Sequence, residues 1–490
     1  MIEPLRPSIK LLSDALLGKI VGESYQLLER TGVFVENREA TRLLLEAGAK
    51  VDTSSGRAFI SAKLIDGALA TAPKKFTLYD AHGEKSFLVA GNDVHFDPGS
   101  AGLRLFDHQT QSERKAITAD LVHFSSLVQR LEHFHFQSTG LISGDVPETI
   151  SDCYRLFIAL QYCSKPVVTG LFVVEGFRPM LEMLVAVRGS AASLKERPLA
   201  IFDACPSPPL KWSNLTAQSL IDCARAGIPS ELVSMPLTGA TAPVTLAGSL
   251  VQLTAENLAG VVITQLAMPG APVIFGGSPS CFDMRTANPP MGAIETMMID
   301  SAYSQIGKSL GLPTHAYMGL SDSKCVDAQA GLESGMGALL AALSGINVVS
   351  GGGMMDYESA QSFEKLVIDN EICGMAYRLI AGISQRDEPI ALDLFTGSMN
   401  EIDFLTHPHT LQWHQVEQRY PRVINRDGYG GWVQSGKPSL ADRASLEVER
   451  LLEEGEEPIL SVDVRSELRK IMERHARKFG LADLPAPKGH

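Results

Sequence analysis

The chain has 490 residues, 45% of them hydrophobic and 20% charged, with a net charge of −13. Apolar material on that scale supports a large buried core. The acidic balance argues against partners held through phosphate charge, whether nucleic acid or an anionic membrane surface. Seven cysteines (Cys153, Cys163, Cys205, Cys223, Cys281, Cys325 and Cys373) lie scattered with no C-x-x-C pair. That spacing speaks against a disulfide framework or a thiolate metal centre, and for a reducing compartment. The opening M-I-E-P-L-R-P-S-I-K lacks the apolar core of a signal peptide, and no uncharged apolar run of about 18 residues stands out as a membrane span. A cytoplasmic protein is expected.

Residues 1–90 read as a mainly helical extension with a small hairpin around Val51–Ile60. Residues 91–389 then repeat one unit: a short apolar segment ending in Gly, Pro, Ser or Asp, followed by a helix-periodic stretch. The segments start at Val94, Phe134, Val167, Leu199, Leu232, Val273, Thr314 and Asn347, roughly 32 to 41 residues apart. That interval suits a strand, a loop, a helix of three to five turns and a short return. Ile117–Glu132, with Leu121, Phe124, Leu127, Val128 and Leu131 at three- and four-residue steps, shows the helical period, as do Leu253–Ala267, Thr296–Leu310 and Ala328–Leu343. Eight such units close a (β/α)8 TIM barrel. The competing open, doubly wound sheet would carry a phosphate-binding glycine run after its first strand, and none follows Val94. Residues 390–490 form a more charged, Pro-punctuated helical extension.

A barrel works at the C-terminal ends of its strands, where the βα loops converge. Those loops supply Asp97 and Ser100, Gln137 and Thr139, Thr169 and Phe172, then Asp203, Thr238 and Gly276-Gly277-Ser278. The seventh and eighth add His315, Tyr317, Ser321, Asp322, Lys324 and Asp327, then Ser350 with Gly351, Gly352 and Gly353. Each has a structural reading beside a functional one. Asp97 before Pro98-Gly99 caps a turn or serves a ligand. Ser321 and Asp322 suit a helix N-cap; Lys324 suits a solvated loop or a neighbouring aspartate; His315 suits a satisfied core histidine. The glycine runs cost backbone entropy and are expected where the chain turns sharply or lies against something bulky. A broad, flat ligand on top of the barrel would account for them. No H-E-x-x-H, G-x-S-x-G, Walker loop or strand-linked dinucleotide fingerprint occurs.

Several longer stretches resemble one family. They are G-A-T-A-P-V-T-L-A-G (239–248), A-P-V-I-F-G-G-S-P (271–279), D-M-R-T-A-N-P-P-M-G (283–292) and L-S-D-S-K-C-V-D-A-Q-A-G-L-E (320–333). The G-G-G-M after the eighth segment and H-T-L-Q-W-H…Y-P-R-V-I-N-R-D (409–427) complete the set. In order and extent these resemble the trimethylamine methyltransferase (MttB) superfamily of corrinoid-dependent methyltransferases. The resemblance implies a TIM barrel with helical additions. Founding members carry pyrrolysine; this chain holds only the twenty standard residues, so it is similar to the non-pyrrolysine branch, which demethylates quaternary amines such as glycine betaine, proline betaine and carnitine.

On that resemblance the expected reaction moves a methyl group from a small quaternary amine to the Co(I) of a separate corrinoid protein. No tightly bound cofactor or metal is expected in the chain itself, and a homo-oligomer is. A quaternary nitrogen leaves as a neutral amine, so no acid need protonate it, and orientation carries the catalysis. Aromatic faces for the cation are sought in Phe172, Phe202, Phe275, Tyr317 and Tyr357, most of them expected in core packing. Candidate carboxylate anchors are Arg104, His315 and Lys324. Asp97, Asp322 and Asp327 are positioning candidates, with Asp203 as a further balancing charge. Ser321, Gly276, Gly277 and Gly351 to Gly353 are candidates for contact with the corrinoid. Four alternatives stay open: a trimethylamine methyltransferase, a non-catalytic betaine-binding homologue, a Schiff-base aldolase using Lys324, and, more weakly, a zinc-thiolate methyltransferase.

Overall fold

In the computed structural model, which describes residues 2–52, 54–396, 403–481 and 483–485, eight short parallel strands close on themselves. They are β1 (His95–Pro98), β2 (Gln137–Ser138), β3 (Val167–Gly170), β4 (Ala200–Ala204), β5 (Ser230–Ser234), β6 (Val273–Gly277), β7 (His315–Tyr317) and β8 (Val348–Gly352). Closure is made by β8 pairing in parallel with β1, Val348 opposite His95 and Ser350 opposite Asp97. Single parallel bridges, Phe96 to Phe134 and Phe275 to Thr314, join β1 to the start of β2 and β6 to β7. An open sheet would leave two edges at these points; a barrel leaves none.

A helix follows each strand: α1 (Thr118–Arg130), α2 (Ser151–Tyr162), α3 (Phe177–Arg188), α4 (Asn214–Ala226), α5 (Leu246–Ala267), α6 (Ile294–Ser309), α7 (Ala328–Ser344) and α8 (Phe363–Ile380). The strands read as continuous apolar runs because the barrel buries both faces, as in V-I-F-G-G of β6, where all five residues are buried. α5 is apolar on every side, long enough to cross a membrane and 78% buried in the fold. The physical reason is coverage from both sides: the helices Asp14–Arg30 and Ala62–Thr71 pack on its outer face. The C-terminal helices Leu440–Glu453 and Val462–Lys478 lie against α8 and against α2 and α3 respectively.

The barrel interior is layered. Phe136, Val168, Ile201, Ile274 and Val348 form an apolar floor with Leu78 and Val89. The last two come from an antiparallel hairpin, Lys75–Tyr79 with Ser86–Ala90, which plugs the N-terminal end and has no counterpart in the sequence reading. Above the floor the chemistry changes, and Asp97, Asp203, Glu231, His315 and Ser350 occupy the next level of the same strands.

Candidate active site

These polar residues form a chain of contacts across the barrel. Ser350 Oγ donates to Asp97 Oδ2 at 2.9 Å, and His315 Nε2 lies 3.2 Å from the same hydroxyl. The other ring nitrogen, Nδ1, is 3.0 Å from Glu231 Oε1, close but not aligned as a hydrogen bond. Glu231 is the register neighbour of Asp203 on β4. Burial pushes the His315 imidazole down to about 3, so it is neutral. Burial also raises Asp97 and Glu231 above the usual carboxylate range and carries Asp203 up to about 7. Two adjacent carboxyls in a dry setting cannot both ionise; Glu231 keeps its proton and Asp203 is the member that takes the charge.

Directly above lies a cavity of 210 Å³ to which every one of the eight units contributes. Ser100 and Ala101 come from the first loop, Arg155 from α2, and Gly170 to Phe172 from the third loop. Asp203, Cys205 and Thr216 follow from the fourth unit, Val233 and Met235 from the fifth, then Ser278, Tyr317 and Glu358. The volume equals about seven water molecules at liquid density, the scale of a small metabolite.

Glu358 reaches this cavity from an unusual piece of backbone. The antiparallel pair Met354–Met355 and Ala360–Gln361 follows β8, and its turn places three successive non-glycine residues at positive φ: Asp356 (46°), Tyr357 (56°) and Glu358 (65°). Each costs roughly 1–2 kcal/mol relative to ordinary backbone, so the surroundings must impose the conformation. They do so through Asp356, which accepts from Arg104 Nη2 at 2.8 Å and from Ser359 Oγ at 2.7 Å. Lys324 Nζ sits 3.4 Å from Asp356 and 4.0 Å from the Tyr357 ring centroid. The outcome is a carboxyl with Oε1 buried and unpartnered, pushed up to about 8 first by burial and then by Asp322.

A family profile described as trimethylamine methyltransferase (MTTB) matches residues 1–480. The chain belongs to the trimethylamine methyltransferase family. Among its relatives, this MTTB-family chain is 30% identical over 468 residues to a trimethylamine methyltransferase of Methanosarcina barkeri (strain Fusaro), covering 93% of this chain and 92% of the relative. A trimethylamine methyltransferase of Desulfitobacterium hafniense (strain DSM 10664) is 29% identical over 470 residues, 96% and 95% of the two chains. A glycine betaine methyltransferase of Desulfitobacterium hafniense (strain Y51) is 27% identical over 478 residues, 97% and 99% of the two chains. The crystal structure of the Methanosarcina barkeri monomethylamine methyltransferase superposes with a TM-score of 0.55 at 13% identity, covering 91% of this chain and 89% of that one; it shows the same fold.

Within this MTTB-family barrel the residues singled out from sequence fall into several places. Phe172, Tyr317 and Asp203 line the 210 Å³ cavity. Tyr357, Lys324 and Asp322 line a second, polar cavity of 440 Å³ between the sixth, seventh and eighth loops. Asp322 there accepts from the backbone N–H groups of Met291 and Gly292, both at 2.9 Å, and burial lifts it to about 6. Ser321 donates to Glu333 at 2.6 Å, and Asp327 caps α7 by accepting from Ala330 N at 3.0 Å. Lys324 Nζ also donates to the Asp322 carbonyl at 2.6 Å. Phe202 and Phe275 are fully buried in the layer between sheet and helices, with Phe202 edge-on to Phe177 of α3. Asp97 and His315 lie below the cavity in the polar layer, and Arg104 is engaged by Asp356 and Glu113.

The glycines have local explanations. A Cβ on Gly276 would stand 2.9 Å from His315 Nδ1, and one on Gly277 2.8 Å from the Ser234 carbonyl. On Gly351 and Gly352 it would meet Met318 O and the Phe134 ring, both at 2.5 Å, while Gly353 has φ +81° and its Cβ would run into Gln361 Oε1. The space a side chain would need is filled by protein, so close strand packing explains these glycines without a ligand. Sequence reasoning missed Arg155 and Glu358.

Proposed function

We propose that this chain removes a methyl group from a small quaternary amine and passes it to the Co(I) of a corrinoid carried by a separate protein. The observation that carries the reading is the composition of the 210 Å³ cavity: two aromatic rings, Phe172 and Tyr317, together with the carboxyls of Asp203 and Glu358. Rings and carboxylates are the two groups that attract a permanent cation. The relatives' names, trimethylamine and glycine betaine methyltransferases, support methyl transfer from a small methylated amine, and the glycine betaine relative together with a chain of standard residues only favours the quaternary class.

The residues of the chain would act by binding and alignment. Asp203, braced by Glu231, and Glu358, held by its locked hairpin, balance the ammonium. The ring faces pack its methyl groups, and the apolar floor keeps water from below. An N-methyl group then points out of the mouth, and holding it there replaces a bimolecular encounter by a positioned one. The corrinoid supplies the nucleophile. The rim suits a docked protein: Leu103, Met235, Val244 and Met284 of the βα loops are 56%, 38%, 69% and 66% exposed, an apolar fringe of the kind that marks a partner surface.

The test is anaerobic incubation with cob(I)alamin and each of glycine betaine, proline betaine, carnitine, choline and trimethylamine, following methylcobalamin by absorbance. Methylation by at least one quaternary amine is expected. Methylation by trimethylamine alone would replace the substrate class, and methylation by none would overturn the reading.

A further inference from the structure

Arg155 is only 3% exposed and yet no carboxylate comes within ion-pair distance of it among the described residues. Its Nε donates to the Thr139 carbonyl at 2.8 Å and its Nη2 to the Thr139 hydroxyl at 2.6 Å, both neutral acceptors. Nη1 makes no hydrogen bond among the described residues. Phe172 covers one face, its ring centroid 5.0 Å from Cζ. Of the acids whose charge it feels, Asp152 is occupied by the backbone N–H groups of Cys153 and Phe172, at 2.7 and 3.0 Å, and Asp203 stands across the cavity wall. A buried guanidinium without a counter-ion is costly, and burial already brings this one down to about 10. The residue lines the 210 Å³ cavity, so an anion placed there would relieve it.

We infer that Arg155 receives the carboxylate of a zwitterionic amine whose ammonium faces Glu358, so that the cavity selects carboxylated quaternary amines over simple ones. The cavity wall supports this division. Arg155 and Phe172 come from the second and third units, Tyr317 and Glu358 from the seventh and eighth, and the guanidinium has one donor nitrogen left after its two bonds to Thr139. Thr139 fixes the fork in one orientation, so a ligand carboxylate meets a preorganised charge. The inference deepens the methyl-transfer reading and rests on it.

The experiment compares calorimetric binding of glycine betaine and choline, which share the trimethylammonium and differ at the far end, to the wild type, Arg155→Lys and Arg155→Gln. The wild type is expected to prefer glycine betaine by roughly ten- to hundredfold, the value of a charge-assisted hydrogen bond to a buried partner. Arg155→Gln should erase that preference while leaving choline binding in place, and Arg155→Lys should restore part of it. Equal affinity of the wild type for both ligands overturns the inference and needs no variant, should either substitution fail to fold. An equal loss of both ligands in Arg155→Gln overturns it too. Methyl transfer from choline but from no carboxylated amine would sink this inference alone; transfer from no amine would sink the function beneath it.

Discussion

Replacing Glu358 by Gln removes one charge from the cavity and keeps its shape. A cation centred in a space of 210 Å³ stands about 4 Å from the wall, where one unit charge contributes about 4 kcal/mol at an effective dielectric of about 20 and about 1 kcal/mol in bulk water. In the free protein the carboxyl is held at about 8, so ionising it at pH 7 takes back about 1.4 kcal/mol. The net expectation at pH 7 is a Kd for a quaternary amine weaker by up to about a hundredfold, about 2.6 kcal/mol at the lower dielectric, with a larger gap at pH 9. Calorimetry on wild type and Glu358→Gln at both pH values reads this directly. The stability sign is opposite. A carboxyl raised above its unfolded value binds its proton more tightly in the fold, so the wild type loses stability as pH rises from about 4.5 toward 8. Ligand-free Glu358→Gln should therefore melt higher than wild type at pH 8. Unchanged amine affinity at pH 9, or a variant that melts lower there, would refute the placement of this charge.

Amine affinity of the wild type should rise with pH through about 7 to 8, because burial holds Asp203 up at about 7, and burial followed by Asp322 holds Glu358 up at about 8; a flat titration contradicts this. Asp356→Ala removes the acceptor that holds the left-handed turn, and it should raise KM at least tenfold with a smaller change in kcat, since what moves is Glu358. Gly276→Ala forces a Cβ to 2.9 Å from His315 and should cost about 1–3 kcal/mol in a denaturant melt. Asp322→Ala strips two backbone donors of their acceptor, with a loss of about 1–3 kcal/mol per unsatisfied group, readable as a lower thermal midpoint. Borohydride reduction with carbonyl compounds should leave Lys324 unmodified, since its ammonium is already engaged by Asp356, Tyr357 and a carbonyl.

The strands were legible because a barrel buries both faces, which turns each one into a short apolar run closed by a turn residue, as in L-A-I-F-D-A-C-P. The plug hairpin was not: its strands K-F-T-L-Y and S-F-L-V-A bury one residue each and leave the others partly or fully exposed, so neither alternation nor a continuous run marks them. Tyr317 could be named from its place at the end of a strand and Phe172 from its place just after one, whereas Phe202 and Phe275, one position out of phase, face the helices. Glu358 left no trace, since a left-handed turn written D-Y-E-S without glycine is imposed by Arg104, distant in sequence. Arg155 did leave one. It sits in S-D-C-Y-R-L-F-I-A-L, a helix whose first ten residues are all buried, and a buried arginine asks for acceptors or a counter-charge. The glycine runs misled because close strand contacts and a bulky ligand ask the same thing of the backbone.

The claim beneath everything else is that carboxylates at the mouth of a closed barrel recognise a positive charge. Glycine betaine and 3,3-dimethylbutanoate have the same shape and the same carboxylate, and differ only in nitrogen against carbon. Calorimetry of the two on the wild-type protein at pH 8 should show the betaine bound at least about a hundredfold more tightly, in line with the charge terms above. Equal affinity for the carbon isostere, whose quaternary centre carries no charge, would mean that the cavity does not read the positive charge, and the account of the site would be wrong.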